Sequence, residues 1–241
     1  MTDGGFRREL DAAIDRNDDG NCSAALEAFD KLVTAYPDEM QPRFERAIVL
    51  LNLDRDLEAI GDLEHVLEHC PDYPGAATWY AIALRDQGKP MQAAEVKLKY
   101  LQSKPPEDWS VNGQAWADCA GYFLKAGTPE RALAALDIYF EHYEGKQTGF
   151  DMFLGAPYRF RAEALLLLGQ LQEALEAVER ACADLHSVPA NRFLRLRILA
   201  ALGDRDGAVA DLQQLWQEQH GRTSSFAEAV AELKRLGMVT E

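Results

Sequence analysis

Six alanines, Ala25, Ala59, Ala93, Ala132, Ala174 and Ala208, follow one another at intervals of 34, 34, 39, 42 and 34 residues. Five residues before each stands Gly20, Asp54, Gly88, Gly127, Gly169 or Gly203. A unit recurring near that period is a supersecondary element that buries its apolar face only against its neighbours, so the chain must fold as a stack of copies. Two intervals exceed the period, with five extra residues near Pro106–Asn112 and eight near Gly145–Met152. The second falls in a glycine-punctuated segment carrying Phe150, Met152, Phe153 and Leu154, side chains that tuck beneath the segment or meet a partner.

Each unit reads as two helices. Around Ala59, the segment Gln41–Asn52 spaces Phe44, Ala47, Ile48 and Leu51 along one helix face. Asp54–Asp56 supplies a turn, and Leu57–His69 places Leu57, Ile60, Leu63, Val66 and Leu67 on a second amphipathic helix. Pro37, Pro71 and Pro105 end the second helices, because proline cannot continue a helix. Glycine at the turn takes the left-handed conformation that closes a helix, and aspartate at position 54 is among the few residue types that tolerate it. The alanines let two helices approach closely. The tail Ser225-Phe226-Ala227-Glu228 is a capping box opening a helix with Phe226, Val230, Leu233 and Leu236 on one face and Gly237 as its stop. Such a helix covers the exposed side of the last unit.

This pattern resembles the tetratricopeptide repeat family. The eighth position of that repeat is filled by Ala13, Ala47, Ala81, Ala120, Ala162 and Leu196, and the twentieth by Ala25 and its five counterparts. Trp116 and Tyr158 match the fourth position, Phe123 and Leu165 the eleventh, Phe29 and Leu63 the twenty-fourth. Lys97 departs from the twenty-fourth, and Glu144, His186 and His220 replace the usual terminal proline. The resemblance implies an all-α, right-handed superhelical solenoid forming one domain over residues 1–241. Its repeats are expected near 6–39, 40–73, 74–107, 113–146, 155–188 and 189–222, with a capping helix at 225–236.

Composition narrows the function classes. The net charge is −15, and residues 1–72 alone carry 7 basic against 18 acidic side chains. An acidic chain repels phosphate backbones, which argues against direct nucleic-acid binding. The acidity either keeps the chain soluble or meets a basic partner. No apolar stretch reaches the length of a membrane span, and the start MTDGGFRREL lacks the apolar region of a secretory signal. Cys22, Cys70, Cys119 and Cys182 lie far apart, which reads as reduced thiols and a cytoplasmic setting.

Three motifs invite catalytic readings. Asp15-Arg16-Asn17-Asp18-Asp19-Gly20 imitates half of a calcium loop, but Leu26 occupies the position of the bidentate glutamate and Gly20 is already a repeat-turn glycine. His65-Val66-Leu67-Glu68-His69 matches the inverted zinc-protease pattern, a metal-dependent hydrolase signature that needs a third ligand and a cleft. Cys70 adjoins His69, but neighbours on a helix point apart. No phosphate-binding or serine-nucleophile motif is present. The sequence therefore implies no enzyme, cofactor or metal.

The resemblance further implies that the first helices present the second, fifth, sixth, ninth, twelfth and thirteenth positions to a protein or peptide. Here these are Phe44, Glu45 and Ile48; Trp79, Ile82 and Arg85; Asp118; Arg159, Phe160 and Glu163; and Phe193 and Arg197. Aromatic and arginine side chains dominate interface energetics, although the aromatics serve equally well as inter-repeat core. The family's carboxylate clamp is missing, since its slots hold Leu10, Ile14 and Glu45. Basic residues gather late instead, as Arg159, Arg161, Arg192, Arg195 and Arg197, either to receive carboxylates or to neutralise Glu163 and Glu173. The leading function is an adaptor holding a segment on this face. The alternatives are an acidic inhibitor, such as an immunity protein, neutralising a basic partner, and, behind it, a metal-dependent hydrolase using His65, Glu68 and His69.

Overall fold

The computed structural model describes residues 3–104, 113–142, 144, 155–183, 189–218, 224–235 and 237. Thirteen α-helices and no strand occur among them, which is the all-α architecture that the repeat period implies. Contacts divide the chain into two compact units, residues 1–104 and 105–241. The first holds α1 (Asp3–Asp18), α2 (Cys22–Ala35), α3 (Met40–Asn52), α4 (Asp56–His69), α5 (Ala76–Asp86) and α6 (Pro90–Gln102). The second holds α7 (Gly113–Lys125), α8 (Pro129–His142), α9 (Gly155–Leu167), α10 (Leu171–Cys182), α11 (Pro189–Leu202), α12 (Arg205–Glu218) and α13 (Ser224–Arg235). Both long insertions, with Phe150, Met152, Phe153 and Leu154, lie outside the described residues, as do Pro105, His186 and His220.

Helices pair in sequence, α1 with α2 through to α11 with α12, and successive pairs pack within each unit. Every eighth- and twentieth-position residue, from Ala13 and Ala25 to Leu196 and Ala208, is 0% exposed. At most twenty-fourth positions Phe29, Leu63, Leu136 and Val178 are also fully buried. Lys97 is the exception in chemistry, not in burial: its ammonium donates to Thr78 Oγ1 at 2.8 Å, so a buried charge keeps a polar partner. The helix α13 closes the second unit by placing Ala229 and Leu233 against Leu196, Leu199 and Leu215. It starts at Ser224, one residue ahead of the capping-box serine, and Gly237 follows with φ 68°.

Each intra-repeat turn closes in one way. The residue after the turn glycine donates its N–H to a carbonyl five residues back, as Lys89 to Leu84 at 2.9 Å and Gln170 to Leu165 at 2.9 Å. This geometry requires a positive φ. The glycines adopt 70–82°, and Asp54 is held at 56°, the sole non-glycine with positive φ among the described residues.

Between repeats, a polar ladder joins the seventh position to the twenty-fifth of the preceding repeat. Arg46 reaches Asp30 at 2.9 Å, the Tyr80 hydroxyl donates to Glu64, and Arg161 stands 3.6 Å from Asp137. Burial and its bond to Glu64 push the Tyr80 hydroxyl far above its ordinary pKa, with burial the larger cause. In two repeats a carboxylate at the twenty-third position adds a clamp. Arg46 donates Nε and Nη2 to Asp62 at 2.7 and 2.7 Å, and Arg195 donates likewise to Asp211 at 2.8 and 2.6 Å. Arg43 and Arg192, at the fourth position, stand 3.6 and 3.7 Å from the same carboxylates. Asp62 and Asp211 are 5% and 1% exposed, so their charges depend on those guanidiniums.

Four outcomes follow. Asp54→Gly is expected to stabilise the chain by about 0.5–1 kcal/mol, because it removes a side chain from a left-handed position. Gly88→Ala, which adds one there, should lower stability by about as much in the same urea titrations. Asp62→Ala should cost about 3 kcal/mol or more by leaving two arginines without their buried carboxylate. Glu58→Ala, which opens the exposed Arg55–Glu58 pair, should leave the midpoint unmoved.

Candidate functional site

In the first unit the ligand-side positions lie on α1, α3 and α5, which pack side by side. Phe44 is 9% exposed and belongs to the core with Ala47, Leu50 and Leu63, so it serves as the floor of this face, not its contact surface. The Tyr73 ring lies 4.9 Å from it, centroid to centroid. Gly75, at the N-terminus of α5 with φ 80°, lets the chain pass against this floor. A Cβ there would stand 3.3 Å from Phe44 Cζ and 3.7 Å from Trp79 Cδ1. Ile48, Trp79 and Ile82 remain half-buried above the floor. Arg85 turns aside, donating Nε and Nη2 to the Asp86 carboxylate at 2.7 and 2.9 Å.

Glu45 is the charged centre of this face. It is half-buried and makes no hydrogen bond or ion pair among the described residues. Burial raises its pKa, and the nearby Asp18 carboxylate raises it further. Burial, then the Glu45 charge, pushes the Tyr73 hydroxyl up to about 12, which keeps it a neutral donor at every physiological pH. The face thus holds two carboxylates near each other, walled by aromatic and branched side chains, with no cation between them.

The corresponding face of the second unit carries charges of both signs, Asp118 and Glu163 with Arg159 and Arg197. Phe160 on α9 lies over Gly121 of α7, where a Cβ would stand 3.1 Å from its Cζ. The Arg159 guanidinium covers the Phe160 ring at 4.4 Å. Burial lowers the Arg159 pKa, and Glu163 offsets this only in part. Asp118, Glu163 and Arg197 are half-buried, and Arg197 has no ion pair among the described residues. Phe193 packs partly into the core of α11, α12 and α13.

The late arginines do not act together. Arg192 and Arg195 serve Asp211, and Arg161 serves Asp137, which leaves Arg159 and Arg197 as the cations of this face. Neither Glu163 nor Glu173 is the partner of Arg161, Arg192 or Arg195 in those pairs, contrary to the expectation from proximity in sequence. Sequence reasoning missed Asp18, Tyr73, Gly121 and the whole ladder. The signal for the ladder was present, since Asp30, Glu64, Asp137 and Glu179 all fall at the twenty-fifth position once the repeats are aligned.

The motifs with catalytic overtones are absorbed by the scaffold. Asp15–Asp18 form the last turn of α1, a helical conformation that cannot wrap a cation. The His65 and His69 rings stack on α4 with centroids 4.1 Å apart, and His69 Nδ1 stands 2.9 Å from the His65 carbonyl oxygen. Burial and then Arg43 lower the His65 pKa. Among the described residues no three His, Cys, Asp or Glu side chains converge as a metal ion would need, and no helix is long and apolar enough to cross a membrane. All four cysteines are free.

No protein-family model matches the chain. Over 228 residues it is 26% identical to the DnaJ homolog subfamily C member 3 of Rattus norvegicus, covering 90% of this chain and 44% of that protein. The chain therefore spans less than half the length of this curated relative. Among solved structures it is similar to PilW, described as a widely conserved type IV pilus biogenesis factor. That match has a TM-score of 0.70 and 16% identity, covering 95% of this chain and all of the other. It is likewise similar to pilF of Pseudomonas aeruginosa, with a TM-score of 0.67, 16% identity and coverage of 95% and 98%. The match to YrrB, described as a TPR protein with an unusual peptide-binding site, has a TM-score of 0.62 and 17% identity, covering 86% of this chain and all of the other. The chain has the fold of the tetratricopeptide repeat proteins.

Proposed function

We propose that this chain, carrying the tetratricopeptide repeat fold, is a non-catalytic adaptor whose first helices hold a protein segment, and that the first unit takes a basic one. The observation that carries this reading is Glu45: a half-buried carboxylate, beside Asp18, with no cation to balance it. A lysine or arginine entering there relieves like-charge repulsion and lies against Tyr73 and Trp79, whose ring faces attract cations. Ile48 and Ile82 add apolar area around the contact. The similarity to YrrB supports a peptide as the form of ligand. Four free cysteines accord with a reducing compartment, and we place the protein in the cytoplasm.

A second reading, an acidic inhibitor of one basic protein, shares this observation and the excess of acidic residues over 1–72. The two differ in breadth: an adaptor accepts many basic segments, whereas an inhibitor accepts one folded partner. Peptide arrays discriminate between them directly.

Lys- and Arg-rich peptides on an array should retain the labelled protein, and Asp- and Glu-rich ones should not. Trp79→Ala and Glu45→Gln should each weaken retention about tenfold or more without changing far-UV circular dichroism. Retention should fall as ionic strength rises, since the charges are partly exposed. Unchanged retention in both variants would remove the assignment.

Glu45 also fixes a pH dependence. Its folded pKa is raised, so the folded state binds the proton more tightly than the unfolded one. Stability then falls as pH rises from the unfolded carboxylate value through the folded one, and the penalty is fully present above the folded value. Glu45→Gln should therefore stabilise the free protein at neutral pH, by no more than about 1 kcal/mol after solvent screening, read as a raised melting temperature. The same variant should show no gain below the unfolded carboxylate pKa.

A further inference from the structure

The polar clamps described above occur in two repeats, and a notch lies beside one of the copies that lacks them. In the repeat of α9 and α10, the twenty-third position, held elsewhere by Asp62 and Asp211, is Ala177. Arg161 consequently lacks the bidentate carboxylate that Arg46 and Arg195 possess and retains only Asp137 at 3.6 Å. A cavity of about 820 Å³ lies there, between α8 and α10 and over α9. An opening of about 720 Å³ lies between α1 and α2, with Ala28 at the twenty-third position and Ala12 at the seventh.

The notch between α8 and α10 is amphipathic. Its apolar lining is Leu133, Phe140, Tyr158, Leu165 and Ala177. The Phe140 and Tyr158 rings lie 5.0 Å apart, with Arg161 over the first at 4.9 Å and Arg180 over the second at 5.6 Å. Glu144 accepts from the Tyr158 hydroxyl and stands 3.6 Å from Arg180. Five carboxylates, of Asp137, Glu144, Glu173, Glu176 and Glu179, face two guanidiniums around the rim. Glu173 and Glu176 remain without an ion pair among the described residues. Tyr158, Arg161 and Leu165 lie on the side of α9 opposite Arg159, Phe160 and Glu163, because three to four residues complete each helical turn. This notch is therefore separate from the face to which the adaptor role is assigned.

We infer that the notch is a second docking site, and that its occupant is a basic amphipathic helix of a partner protein. The occupant's apolar stripe seats on Leu133, Phe140 and Tyr158, with the buried Leu165 beneath them, and its lysines or arginines meet Glu173 and Glu176. The excess of negative charge selects the sign of the partner. The helical form follows from the lining, which tracks one face of α8 through Leu133, Asp137 and Phe140 and one face of α10 through Glu173, Ala177 and Arg180, an elongated footprint that suits a helix. An acidic helix meets five carboxylates here and is rejected.

The test uses the full chain, isotope-labelled for NMR, in a Trp79→Ala, Glu45→Gln background that silences the first-unit face. The probes are an amphipathic Leu/Lys helical peptide and its Leu/Glu counterpart. The Leu/Lys peptide should shift amides of α8, α10 and the Tyr158–Leu165 side of α9, and the Leu/Glu peptide should shift none. Ala177→Asp should restore the Arg–Asp clamp, fill the notch, and weaken Leu/Lys binding about tenfold or more, the loss of at least one good contact. A Glu173→Lys, Glu176→Lys double variant, altered only at exposed sites, covers the case in which Ala177→Asp fails to fold. It should weaken Leu/Lys binding comparably. Equal binding of both peptides, undiminished binding in a folded variant, or shifts mapping to Arg159 and Phe160 would overturn the assignment. Failure here leaves the array test of the adaptor role untouched, because that test reads a different face in a different unit.

Discussion

The close approach of two helices at a pair of small side chains is the contact on which the rest of this molecule rests. Ala47 against Ala59, and its counterparts in every repeat, are wholly buried, and in five of the six pairs both side chains are alanine. The separation so set decides which side chains reach across, and hence that Phe29, Leu63, Leu136 and Val178 complete the core of their pairs. It also makes the turn short, so that its single left-handed residue must close the first helix within one turn. Glycine answers that demand in five repeats, and Asp54 answers it under strain. In the last pair Leu196 replaces the first alanine, and its bulk is received by Leu215, Ala229 and Leu233, side chains that only the terminal repeat has beside it.

Electrostatics then differentiates the two sides of each first helix. On the ladder side, charges are matched within the chain: Arg46 with Asp30 and Asp62, Arg161 with Asp137, Arg195 with Asp211. Such pairs add little net stability over apolar residues of the same shape, but removing one partner is costly. They therefore act on register, penalising any docking of repeats that leaves a guanidinium or carboxylate alone. On the opposite side Glu45 in one unit and Arg159 and Arg197 in the other make no ion pair among the described residues.

Much of the fold was legible because it depends on single residues at fixed spacing. The alanines, the turn glycines and Asp54 carry their structural reason in their own chemistry, and the period aligns them without coordinates. The apolar stripe of the capping helix was readable for the same reason. The ladder was harder. Arg46 and Asp62 are sixteen residues apart in sequence, and neither type is diagnostic until both helices have been placed. The same limit separated the arginines wrongly: Arg192 and Arg195 looked like a basic patch with Arg197, although Asp211 lies buried beneath them. Phe44 was readable as aromatic but not as floor, because the helix face it occupies does not reveal how deeply Tyr73 and Gly75 bury it. Asp18 and Glu45 belong to different repeats, so their proximity is a property of the stack alone.

The contrast between matched and unmatched faces is the reason to place function where the charges are left over. Half-burying Glu45 near Asp18 lowers the stability of the free chain, as does desolvating Arg159 over Phe160, and neither contact is needed to hold the helices together. The ladder shows that this scaffold can satisfy a charge wherever the neighbouring helix offers the right position. Glu45 has such a neighbour in α1, and that neighbour presents another carboxylate. A face that is destabilised alone and relieved by a cation favours the state in which a cation is bound, and the differential is what a binding surface consists of. A similar reading applies at the notch beside Ala177, whose rim holds carboxylates that the contacts between repeats do not pair. In both places we propose that a partner supplies the charge that the scaffold leaves out.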